Sequence, residues 1–199
     1  LIEAHQPVGT LRPEVARILD LNPQAVVASG GSDNMLGAIG TGNIEPGIIT
    51  MSLGSSGTVY AFDQQPQAHP DASVAGFCSS TGGWLPLICT LNLTTTTSAV
   101  RELLSLSLND FNTLAGQAPI GAEGVSMLPF LNGERVPALP HATGSIQGLT
   151  LTNMTPANLC RAALEGTTYG LRYGLDLLRA NGVQSQTIRL VGGGSKSRL

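Results

Sequence analysis

Charge is the first thing this chain is short of. Only 12% of its 199 residues are Asp, Glu, Lys or Arg, and aromatics make up 4%. Disorder needs low hydrophobicity with high net charge. A 42% hydrophobic fraction with a net charge of −3 excludes it as the main state. Lys and Arg form no basic run, which argues against nucleic acid and anionic membrane as partners. No apolar stretch reaches the ~18 residues that suggest a membrane-spanning helix. The opening residues lack the basic, apolar, small-residue order of a signal peptide.

Cysteine is sparse as well. Cys78, Cys89 and Cys160 are odd in number and far apart, so they form neither a disulfide framework nor a zinc motif. A reducing, cytoplasmic location is the expectation. The sequons at Asn92 and Asn153 then read as chance. His5, His69 and His141 stand alone in polar segments, without triad partners or ligand spacing. Hydrolase and metalloenzyme readings gain nothing from them, and no metal-ligating residue is expected.

Glycine, by contrast, is abundant, with 25 residues, which implies tight turns and close backbone approaches. The patterning predicts a helix over 11–20 and a short buried strand over 25–29. Ser32 is expected to cap a helix over 33–41, and its small residues imply close packing. A turn at 43–47 reads as a domain boundary. Strands are expected at 48–53, 58–62 and 84–91, with 63–82 irregular. Helices follow over 98–106 and from Ser107, whose capping box is completed by Asp110. Residues 119–150 read as loop with short strands. Pro156 and Gly182 bracket the longest helix, 157–181, and a strand over 187–191 feeds a terminal glycine loop.

Four segments can carry chemistry. Gly30-Gly31-Ser32-Asp33-Asn34 sets a carboxylate at a strand-to-helix turn, where the helix dipole keeps it ionised. Asp33 there is either a general base or only a helix-starting residue. Gly54-Ser55-Ser56-Gly57 is either an anion-binding hairpin or an ordinary turn. Gly192 to Ser197 either seats a ligand at the next helix or simply turns the chain. It is not the dinucleotide fingerprint, since Ser197 stands where the third glycine belongs. In Asn132-Gly133-Glu134-Arg135-Val136-Pro137, the Glu–Arg neighbours read best as a structural ion pair that fixes a loop.

The order of these pieces resembles the FGGY family of carbohydrate kinases, most closely its members that act on D-xylulose. Gly30 to Asn34 comes first, then Ser52-Leu53-Gly54-Ser55-Ser56-Gly57 and Leu128-Pro129-Phe130-Leu131 running into Asn132 to Pro137. Gly144-Ser145-Ile146-Gln147-Gly148-Leu149 and Asn158 to Glu165 fit the family's second signature, and Val191 to Ser197 closes the series. The likeness spans nearly the whole chain. It implies an α/β fold of the ribonuclease-H-like, actin-like ATPase type, a mixed sheet flanked by helices. It also implies two domains with the active site between them. Residues 1–42 would be the tail of the first and 43–199 most of the second.

By this resemblance Asp33 is the catalytic base and Asn34 contacts the sugar. Gly54, Ser55, Ser56 and Gly57 are the phosphate hairpin, with Ser55 where the family usually has Thr. Gly193, Gly194 and Ser195 hold the adenine nucleotide. Glu134 and Arg135 shape the cleft. Thr94 to Thr97 departs from the smaller residues that relatives carry there. ATP and Mg²⁺ are implied, with no dedicated metal cage. The implied reaction is ATP-dependent phosphorylation of a sugar hydroxyl, D-xylulose to D-xylulose 5-phosphate, with ribulose, gluconate or glycerol as alternative substrates. A partner-regulating actin-like ATPase is the remaining alternative, opposed by the Gly-Ser-Asp-Asn turn and the second signature. The start at Leu1 and the end just past a glycine loop suggest a piece of a longer protein. That piece is expected to be inactive alone and to self-associate, as a homodimer, through its exposed face.

Overall fold

The computed structural model describes residues 2–67 and 73–199; His69 lies outside them. The chain opens with β1 (Pro7–Thr10), α1 (Pro13–Leu19) and β2 (Val26–Ala28). β1 and β2 pair antiparallel as a separate ribbon. The strand expected to be buried at 25–29 is instead exposed along all of β2. A two-stranded ribbon has no second layer to cover it. β1 itself was not foreseen. α2 (Asp33–Gly40) starts where expected, but Ser32 does not cap it; its hydroxyl turns to the Met35 sulfur.

The body is a five-stranded mixed sheet in the order β5-β6-β4-β3-β9. Its strands are β3 (Gly47–Leu53), β4 (Gly57–Ala61), β5 (Ala75–Cys78), β6 (Trp84–Thr90) and β9 (Ser185–Val191). β5 falls inside the stretch expected to be irregular. β3 and β4 form a hairpin, and β3 also pairs with β9 in parallel, Ser52 opposite Val191. Alternation along the strands separates two faces. Ile49, Val59 and Ile88 pack against Leu171, Leu175 and Leu178 of α5 (Pro156–Ala180). Tyr60, Leu85 and Leu87 point the other way, onto Met35 and Ala38 of α2. Helices thus flank both faces, the layered α/β class that was expected.

Beyond the sheet, α3 (Thr94–Leu103) and α4 (Leu108–Gln117) stack on α5 through Val100, Phe111, Ala115, Cys160 and Ala163. α3 begins earlier than expected, because the threonine run forms its first turn. α4 has the predicted cap, with the Ser107 hydroxyl accepting from the Asp110 N–H at 3.1 Å. α5 is capped likewise by Thr155 and ends at Gly182, whose φ is +89°. The 119–150 region holds β7 (Ser126–Leu128) paired with β8 (Ser145–Gln147). Asn92 and Asn153 are both buried, which agrees with the sequons being chance. Among the described residues, no helix is long and apolar enough to cross a membrane.

Candidate functional site

β3 and β9 run parallel and end side by side. Each then enters a glycine loop, so Gly54 and Gly194 arrive together although 140 positions apart. In open α/β sheets such strand ends are where ligands bind. Here they border a cavity of about 590 Å³, lined by Gly54, Ser55, Gly193 and Gly194 among others. The glycines are required by crowding. A Cβ on Gly192, where φ is +86°, would lie 2.7 Å from the Leu53 carbonyl oxygen, and one on Gly194 would lie 2.8 Å from Leu53 Cβ. A Cβ on Gly57 would meet Leu171 and Thr90 at 2.6 and 2.8 Å.

The hairpin is held by the start of α3. Ser55 O accepts from the Leu93 N–H and Gly54 O from the Thr94 N–H, both at 3.2 Å. The hydroxyls of Thr94 and Thr95 donate to the same two carbonyls at 2.9 and 2.6 Å. The threonine run thus clamps the hairpin, and Thr94 and Thr97 also line the cavity. Among the described residues, the N–H groups of Ser55 and Ser56 have no protein acceptor. Free N–H groups in a tight turn of this kind suit an anion.

Apart from the threonine run, the cavity walls come from residues that motif reading missed. α3 contributes Thr94, Thr97, Ser98 and Arg101; α4 contributes Leu108, Phe111 and Asn112; α5 contributes Leu164, Thr167 and Thr168. Each set follows the i, i+3, i+4 spacing of one helix face. That spacing was the available signal: polar positions on α3 and α5 that lie beside the apolar stripe. Among the described residues, Arg101 is the only charged side chain in the lining. Its contact with Glu102, at 3.4 Å, is loose, and Glu102 is largely exposed. Ser195 and Ser56 do not line the cavity; Ser195 Oγ instead closes its own loop onto Gly192 O at 2.7 Å.

Asp33 and Asn34 lie apart from the cavity lining, at the start of α2. Asp33 is exposed. Its Oδ1 accepts from the Asn34 N–H at 2.8 Å and from Asn34 Nδ2 at 3.1 Å. Asn34 Oδ1 in turn faces the Thr58 hydroxyl at 3.4 Å, one residue beyond the hairpin. The carboxylate also lies near Tyr60. Burial raises that phenol's pKa, the charge of Asp33 adds to the rise, and a hydrogen bond with Thr50 opposes it.

The expected ion pair of Glu134 and Arg135 is absent among the described residues. Glu134 is 2% exposed, and its carboxylate accepts from the N–H groups of Leu91 and Arg135 and from Asn92 Nδ2. Arg135 is exposed. Converging amide donors, rather than a cation, compensate this buried charge. Asn92 Nδ2 also donates to Gly133 O at 2.6 Å, which fixes the amide's orientation and leaves its Oδ1 buried without a partner among the described residues. Among the described residues, no three His, Cys, Asp or Glu side chains cluster as a metal site.

Residues 50–199 match the profile of the C-terminal domain of the FGGY family of carbohydrate kinases. A xylulose kinase of Haemophilus influenzae is 52% identical over 197 residues, 99% of this chain and 40% of that protein. The chain therefore spans about two fifths of that relative's length. Among solved structures, a xylulose kinase from Bifidobacterium adolescentis superposes with a TM-score of 0.80 at 38% identity, over 87% of this chain and 34% of that one. A ligand-bound xylulose kinase from Lactobacillus acidophilus gives 0.91 at 26% identity, over 99% and 41%. The fold is the actin-like ATPase type of these sugar kinases.

Proposed function

The chain belongs to the FGGY family of carbohydrate kinases, and on that footing we propose that it is the nucleotide-binding part of an enzyme that transfers the γ-phosphoryl of ATP to D-xylulose. One observation carries the reading. Two glycine loops at opposite ends of the domain converge on one 590 Å³ cavity, which three helix faces complete. Leu93, Leu108, Phe111 and Leu164 offer an apolar seat of the kind a nucleobase needs. The hairpin N–H groups and Arg101 offer sites for phosphate oxygens.

Phosphoryl transfer asks mainly for positioning, charge neutralisation and one base. Asp33 is proposed as that base and Asn34 as its neighbour at the sugar. The N–H and side-chain amide of Asn34 occupy Asp33 Oδ1, which leaves Oδ2 to receive the proton of the attacking hydroxyl. Gly54, Ser55, Ser56 and Gly57 are proposed to hold the phosphates, and Gly193, Gly194 and Ser195 the nucleoside end. Mg²⁺ would be held chiefly by phosphate oxygens and water, as is usual for this ion, where it would neutralise phosphate charge. Residues 1–42 and 43–199 are proposed as parts of two domains. The separate β1–β2 ribbon supports that division as far as β2, whereas α2 packs onto the sheet of the second part.

The test is ADP release by the full-length parent protein over a sugar panel that includes D-xylulose. Turnover stimulated by D-xylulose, and removed by Asp33→Ala while ADP still binds, is the expected outcome. ATP hydrolysis indifferent to every sugar would count against the assignment, and full turnover in Asp33→Ala would count against the base.

A further inference from the structure

Of the segments singled out by sequence, the one around Glu134 is not absorbed by the nucleotide cavity. We propose that Glu134 is a positioning residue that aims the N–H groups of the phosphate hairpin, acting through the first turn of α3. The proposal rests on the reading of Gly54–Gly57 as the phosphate site.

A carboxylate this far from water is retained only where donors converge on it. Three do: the N–H groups of Leu91 and Arg135 at 2.6 and 2.7 Å, and Asn92 Nδ2 at 3.0 Å. Leu91 and Asn92 lead directly into Leu93, the residue that immediately precedes α3. The same segment reaches α3 a second time, where the Thr96 hydroxyl donates to Pro129 O at 3.2 Å. α3 is therefore fixed at its N-terminus by the 129–135 segment. That N-terminus in turn holds Gly54 O and Ser55 O through three N–H groups, those of Leu93, Thr94 and Thr95, and two hydroxyls.

The planarity of the peptide bond carries the constraint onward. In a trans peptide, the C=O of one residue and the N–H of the next point in opposite directions. Holding Gly54 O against α3 fixes where the Ser55 N–H points, and holding Ser55 O fixes the Ser56 N–H. These two N–H groups have no protein acceptor among the described residues. Their aim is thus set from behind, and Glu134 holds the element that sets it.

In the full-length protein, Glu134→Gln keeps one oxygen for the two N–H groups but turns an NH₂ toward the Asn92 amide, donor against donor. The expected result is a rise of roughly tenfold in the KM for ATP and in the Kd for ADP, the scale of a lost charged hydrogen bond. The sugar KM stays unchanged. A merely structural defect would lower kcat through the active fraction without moving the ADP Kd. A folded Glu134→Gln protein with wild-type ADP affinity overturns the proposal.

Thr95→Val decides the matter should Glu134→Gln not fold, since it removes a single hydroxyl from an exposed position. A roughly threefold loss of ADP affinity supports the link from α3 to the hairpin, and no loss refutes it. Gly54→Val separates this proposal from its premise. Unchanged ADP affinity in that variant means the hairpin is not the phosphate site, and both readings fall. Weakened affinity there, with a folded Glu134→Gln protein unaffected, removes only the role of Glu134.

Discussion

Three glycines on α5, at 166, 170 and 174, share one helix face at four-residue spacing, and alanine at each should have a different effect. Gly→Ala inside a helix ordinarily gains about 1 kcal/mol. At Gly170 the new Cβ would have only Thr90 Cγ2 near it, at 4.0 Å, so the whole gain should be realised. At Gly174 it would meet Ile88 Cγ2 at 3.1 Å and Val59 Cγ2 at 3.7 Å. These methyls can yield slightly, and the net effect should be near zero. At Gly166 it would lie 2.2 Å from the Met127 carbonyl oxygen of β7. Backbone cannot rotate aside as a side chain does, so β7 must retreat. Overpacking costs about 1–3 kcal/mol. Taking the upper half of that range and subtracting the helix gain leaves a net loss of about 1–2 kcal/mol. Urea unfolding of the three variants in the full-length protein should rank Gly170→Ala above wild type, Gly174→Ala level with it and Gly166→Ala below. Gly166 lies between Leu164 and Thr167 of the cavity wall, so Gly166→Ala should also weaken ADP binding. Equal stability of Gly166→Ala and Gly170→Ala would mean that α5 is not seated against β7, and the cavity drawn from its face would be wrong.

Two further predictions follow from single groups. Arg101→Ala should weaken ADP binding about fivefold, the ~1 kcal/mol of a partly exposed charge contact, and more at low salt; an unchanged Kd at low ionic strength would remove Arg101 from the site. Burial raises the pKa of both Tyr60 and Cys160, so the unfolded chain releases these protons first as pH rises. Their contribution is complete below the unfolded values of 9.0 for Cys160 and 10.0 for Tyr60 and is lost as pH climbs through the raised folded values. Stability should therefore fall on the alkaline side, and Tyr60→Phe should flatten the upper part of that fall in urea unfolding at stepped pH.

Much of this was legible because local rules and tertiary structure agreed. The Ser107 cap, Pro156 at the start of α5 and Gly182 at its end are short-range chemistry, and each falls where the pattern puts it. The readings that missed depended on what lies across the chain. β2 has the composition of a buried strand, but burial needs a covering layer that the β1–β2 ribbon lacks. Ser32 has the position of a cap, yet a sulfur three residues on takes its hydroxyl. Glu134 sits beside Arg135 in sequence, and nothing local reveals that its partners are Leu91 and Asn92, more than forty positions earlier. The cavity was half legible. Its glycines announce themselves, whereas Arg101, Asn112 and Thr168 become neighbours only when α3, α4 and α5 pack.

The placement of Asp33 follows from the same packing and bears on how a base and a phosphate site can be brought into register. α2 is not free to carry its carboxylate about. Met35 and Ala38 are buried against Tyr60, Leu85 and Leu87, and a Cβ on Gly37 would lie 3.0 Å from the Tyr60 hydroxyl. The helix also ends in a buried polar set, where Thr41 Oγ1 shares a hydrogen bond with Thr50 Oγ1 at 2.8 Å and Asn43 bonds both Thr50 and the Tyr60 carbonyl. Its middle and its far end are thus anchored to β3 and β4, the strands that form the hairpin. At its near end, Asn34 touches Thr58 just past Gly57. Any shift of the hairpin along β4 is therefore transmitted to the N-terminus of α2. The proposed base, mounted this way, moves with the proposed phosphate hairpin. On that proposal, closing of the full-length protein needs to bring only the sugar to a carboxylate and hairpin already in register, without also aligning the two with each other.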